Sequence, residues 1–111
     1  MNVVSWIKGI FSTHGSAISL YRRGMAKAKK RDPMGAIEDY TASIDSQDVP
    51  ADVKAMALYN RALVYAADGQ TAKAIHDLNV VLEMRESLPT IKTEARRKLL
   101  RMKRSSEKSS S

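Results

Sequence analysis

Residues 36–45 read AIEDYTASID, and residues 74–83 read AIHDLNVVLE. At this offset of 38 positions alanine falls on alanine, isoleucine on isoleucine and aspartate on aspartate, and the apolar positions coincide. The register continues upstream without a gap. Leu20 and Tyr21 fall on Leu58 and Tyr59, Arg23 on Arg61, Gly24 on Ala62, Met25 on Leu63 and Ala28 on Ala66. A period of this length marks a supersecondary unit that buries its apolar face against a neighbouring copy of itself.

Each copy reads as two helices. In the first, Ser16 is the expected N-cap, and Ile18, Leu20, Tyr21, Met25 and Ala28 recur at helical spacing. Asp32-Pro33 then restarts the chain: aspartate supplies a capping oxygen, and proline suits a first turn where its missing N–H costs nothing. Ala36, Ile37, Tyr40, Ser43 and Ile44 share one side of the helix that follows. In the second copy Pro50 opens a helix to about Asp68, and Gly69 is suited to the left-handed residue that ends it. Thr71 is the expected cap of the next helix, with Ala74, Ile75, Leu78, Val81 and Leu82 inward. Ile91, Ala95, Leu99 and Met102 form the apolar stripe of a fifth helix after Pro89. The expected organisation is therefore all-α, with hairpins over 17–31/33–46 and 50–68/71–86 and a capping helix over 89–104. Residues 1–15 form an amphipathic segment and linker, residues 16–104 the domain, and residues 105–111 a disordered tail.

These residues resemble the tetratricopeptide repeat (TPR) family. Its pattern sets a Leu and a small residue in one helix against an Ala and an aromatic in its partner. Leu20, Gly24, Ala36 and Tyr40 match in the first copy, and Leu58, Ala62 and Ala74 in the second, which offers Leu78 in the aromatic's place. LYRRG and LYNRA look like the variant carrying Tyr-x-Arg before the small residue. The match spans about residues 17–85. The period exceeds the family's by about one helical turn, and the family's closing proline is absent at Asp48 and Glu86. The resemblance implies a short right-handed α-solenoid whose leading helices line a concave groove for a protein partner. The groove positions are Tyr21, Arg22, Met25, Lys29, Tyr59, Asn60 and Leu63. A carboxylate clamp of the kind some members use would match at Asn60, but Tyr21 and Met25 stand where it needs a lysine and an asparagine.

Composition and charge bear on function. The 111 residues are enough for one small domain and contain no cysteine, which excludes disulfides and thiolate metal sites. No apolar run reaches the length of a bilayer span and no cleaved signal is expected, so the default location is cytoplasmic. The net charge of +7 is unevenly spread: residues 1–31 hold seven bases and no acid, residues 32–86 four bases and ten acids, and residues 87–111 eight bases and two acids. Such asymmetry points to electrostatically guided contacts. The expected partner is an acidic peptide or helix of another protein. Nucleic acid bound by a basic patch at Arg96, Arg97, Arg101 and Arg104 is the alternative, although few aromatics interleave with it. Self-association of the acidic second helix with a basic last helix is a further expectation. Residues 1–11, MNVVSWIKGIF, would suit docking on the repeats, a membrane interface or a partner. No enzyme chemistry and no cofactor are expected. His14 and His76 have no catalytic company, no loop resembles a phosphate cradle, and Glu38, Asp39, Asp77 and Glu83 read as solvated outward acids.

Overall fold

The computed structural model describes residues 14–110, so the amphipathic segment at 1–11 lies outside the described residues. Every regular element among them is helical: α1 (His14–Lys29), α2 (Pro33–Ile44), α3 (Ala51–Ala67), α4 (Thr71–Glu83) and α5 (Pro89–Ser110). The all-α reading therefore holds.

Small residues set the packing. α1 and α2 run antiparallel, as the contacts along them show: Ser43 Oγ donates to the Ala17 carbonyl at 2.7 Å, Gly24 lies under the Tyr40 ring, and Gly35 lies under the Lys27 stem. Ala36, Ala62 and Ala74 are wholly buried, as expected of residues at close helix approaches. The second hairpin, α3 with α4, centres on Leu58, Ala62, Ala74, Leu78 and Val81. α2 packs on α3 and α4 on α5, and α1 and α3 also touch. Ala95 closes the core from α5, flanked by Ile91, Leu99 and Met102.

The inter-helix turns repeat as faithfully as the helices. After α1 the N–H of Asp32 reaches back to the Lys27 carbonyl at 2.9 Å, and the N–H of Arg31 to that of Ala28 at 3.1 Å. After α3, Gln70 reaches Tyr65 at 2.8 Å and Gly69 reaches Ala66 at 3.2 Å. Both are Schellman-type endings that satisfy the last helical carbonyls through one left-handed residue. That residue is Gly69 at φ 80° in the second copy and Arg31 at φ 61° in the first.

Several expectations are corrected. Helix α1 is already formed at His14, so Ser16 lies within it rather than capping it, and His14 is not in a linker. Asp32 does cap α2, accepting from the Gly35 N–H at 3.0 Å with Pro33 in the first turn. The N-cap of α4 is Gln70 rather than Thr71, and no side chain caps that end. Ile75 is partly exposed rather than inward. Residues 105–110 are not a disordered tail but the last turns of α5. No Gly or Pro follows Pro89, and extending a formed helix adds one hydrogen bond for each residue fixed.

Candidate functional site

The two acids shared by the copies are not solvated. Asp39 and Asp77 are 3% and 1% exposed, and each meets the arginine 16 positions before it. Arg61 grips Asp77 with two parallel bonds of 2.8 Å, from Nε and from one terminal nitrogen. Its other terminal nitrogen donates to Thr41 Oγ1 of the preceding hairpin at 2.9 Å. These bonds hold the Arg61 guanidinium above its ordinary pKa despite burial. In the first copy Arg23 reaches Asp39 at 3.3 Å, and Lys27 lies 3.0 Å from the other oxygen, too obliquely for a hydrogen bond. Tyr65 occupies Lys27's place in the second copy, and its ring lies 5.6 Å from the Arg61 guanidinium carbon. Burying a charge is costly unless it is paired, so Asp39, Asp77 and Arg61 are committed to the fold. A solvent-facing reading of Asp39 and Asp77 fails because each faces its own hairpin partner.

The expected groove residues divide by role. Tyr21 and Asn60 have a structural role: the Asn60 amide donates to the Tyr21 hydroxyl at 2.8 Å, tying α1 to α3. Burial raises the Tyr21 pKa, and the Asn60 bond offsets part of the rise. The Tyr21 ring packs against Tyr40, with centroids 6.0 Å apart. Tyr59, at the equivalent position of α3, turns towards α5. Burial raises its pKa, Glu94 adds to the rise and Arg101 opposes it. Arg101 thus borders the α3–α5 junction. It also lines, with Ala66, Thr71, Lys98 and Met102, a surface cleft there.

At 3.6 residues per turn, Arg22, Met25 and Lys29 share one side of α1, and all three are exposed. Neither Arg22 nor Lys29 makes an ion pair among the described residues. Leu63 of α3 joins Ala28, Pro33, Val64 and Ala67 around an apolar cleft of about 410 Å³ with Arg31 and Asp68 at its rim. Arg31 lines this cleft without being among the groove positions expected from the sequence, and it matches Gly69 across the repeat. Of the basic patch, Arg97 is held by Glu94 at 2.9 Å, whereas Arg96 and Arg104 are exposed and make no ion pair among the described residues. No group of acids and histidines that could hold a metal occurs among the described residues. No described helix is long and apolar enough to cross a membrane.

The buried tyrosine supplies a pH test of this packing. Burial, with a smaller contribution from Tyr21, pushes the Tyr40 hydroxyl from 10.0 up to about 12. The unfolded chain loses this proton above pH 10 while the folded chain keeps it. The stabilisation is therefore whole below pH 10 and is lost as the pH rises towards 12. Tyr40→Phe should flatten the fall in thermal midpoint across that window, and an unchanged slope would show that the hydroxyl is solvated. Comparison with protein-family models, curated proteins and solved structures finds no match to this chain.

Proposed function

We propose that the chain is a non-enzymatic, cytoplasmic adaptor of the tetratricopeptide-repeat type, its hairpins and α5 stacked as a short right-handed solenoid. Along the side shared by α1 and α3 it holds an acidic segment of a partner protein. The observation that carries this reading is the juxtaposition of unpaired cations with apolar surface. Arg22 and Lys29 flank Met25, and Arg31 stands at the rim of the cleft floored by Ala28, Leu63 and Val64. Carboxylates of the partner pair with the cations and speed encounter, while one apolar side chain fills the cleft and supplies most of the affinity. Asn60 contributes by holding Tyr21 rather than by clamping a carboxylate.

Fluorescence anisotropy tests the reading, using peptides in which Glu and Asp flank a single Leu or Phe, with Gln-substituted controls. Acidic peptides should bind at least about tenfold more tightly than the controls, a difference of about 1.4 kcal/mol. Arg22→Glu with Lys29→Glu should abolish binding and leave the helical circular-dichroism signal intact. Arg96→Glu with Arg104→Glu should leave peptide binding in place. Loss through the second pair alone would overturn the groove reading and move function to the basic face of α5. Binding of a short nucleic-acid duplex would then be the measurement to make.

A further inference from the structure

The two most exposed large apolar side chains among the described residues are Met34 on α2, 72% exposed, and Leu100 on α5, 53% exposed. Each sits within a helical stripe of one sign. On α2 the positions i, i+4, i+8 and i+11 are Met34, Glu38, Ala42 and Asp45, all exposed. Residues 32–53 hold six acids and no base, and five of the six, all but Asp39, are exposed. On α5, Arg96 and Arg97 precede Leu100 by one turn, and Lys103 and Arg104 follow it by one turn, all four exposed. Arg96, Lys103 and Arg104 make no ion pair among the described residues, and neither do Glu38 and Asp45. Among the described residues nothing stacks on this side of α5. α4 packs against the opposite face, and no further helix among the described residues covers Leu100. Stacked helical units bury each other's faces, so a last face with an apolar centre is open to the next unit.

We propose that the next unit is a second copy of this chain, whose acidic α2 stripe docks on the basic stripe of α5. Leu100 packs against Ala42, which lies between Glu38 and Asp45 on the α2 stripe, and Arg96 and Arg104, one turn to either side of Leu100, pair with those two acids. The two surfaces are different patches of one molecule, so the contact is heterologous and builds either a closed assembly or an open chain. Copies carrying +7 repel one another at long range. At physiological salt the screening length is roughly 8 Å, short enough to mute that repulsion while facing carboxylates and guanidinium groups still attract. The contact is independent of the α1–α3 groove, and the two stand or fall separately.

Sedimentation velocity on the full chain, over a range of protein and salt concentrations, tests the proposal. The weight-average mass should rise above the 12.3 kDa monomer with protein concentration and fall back at high salt. Arg96→Glu with Arg104→Glu should hold the chain monomeric, and so should Glu38→Lys with Asp45→Lys. An equimolar mixture of the two variants should associate again, as should one chain carrying all four changes. Leu100→Glu should remove association without a charge partner to rescue it. A monomer under every condition overturns the proposal. So does association that survives both reversals, or reversals that fail to rescue each other. Binding of a short RNA or DNA duplex by Arg96 and Arg104 in a chain that stays monomeric overturns it too, and assigns the face to nucleic acid.

Discussion

Replacing Arg61 with methionine should lower the stability of the fold by about 3–5 kcal/mol, because it strands a buried carboxylate. Methionine keeps much of the arginine stem but offers nothing to Asp77, which has its oxygens within 2.8 Å of the guanidinium and is 1% exposed. The same change in the first copy should be mild. The Arg23 side chain is 63% exposed, and Lys27 remains 3.0 Å from Asp39, so Arg23→Met should cost less than about 1 kcal/mol. Urea denaturation of the two variants provides the comparison. Equal losses would show that Arg61 contributes through its packing rather than through its charge.

Gly24→Ala should also destabilise, although alanine is by itself the better helix former by about 1 kcal/mol. A Cβ at position 24 would stand 2.6 Å from two ring carbons of Tyr40, which is 2% exposed and hemmed in. Overpacking of this kind costs about 1–3 kcal/mol, enough to outweigh the propensity gain when the ring has nowhere to go. The second copy solves the same contact with the opposite sizes, Ala62 against Leu78. Installing that pair as Gly24→Ala with Tyr40→Leu should relieve the clash. A double-mutant cycle should then show a favourable coupling of about 1–3 kcal/mol, whereas additive losses would mean that the two copies do not share one packing solution.

The same correspondence shows what could be read in advance. Hairpins follow from the doubled small and apolar residues, because close approach needs Ala or Gly wherever the helices meet. The ion pairs were equally present in the register, with Arg and Asp 16 positions apart in both copies. A lone acid on an amphipathic helix is ordinarily solvated, and the informative signal is that both partners repeat together. The helical end of α5 was hidden by its serines, which suit a tail in composition yet do not break a helix already formed. The bond between Tyr21 and Asn60 joins helices from different copies, and no spacing along one chain specifies how two helices cross. The same holds for the turn of Tyr59 towards α5.

The left-handed turn at Arg31 carries a cost that its counterpart in the second copy does not. An L-residue with a side chain held at positive φ gives up on the order of 1 kcal/mol relative to glycine. Gly69 performs the identical turn without that loss, and a Cβ there would meet nothing within 4 Å. Arginine at the first turn gives up that backbone ease and places a cation in the lining of the apolar cleft, with Ala28 and Asp68. The first turn is therefore the more strained of the two, and the residue that bears the strain lines the apolar cleft.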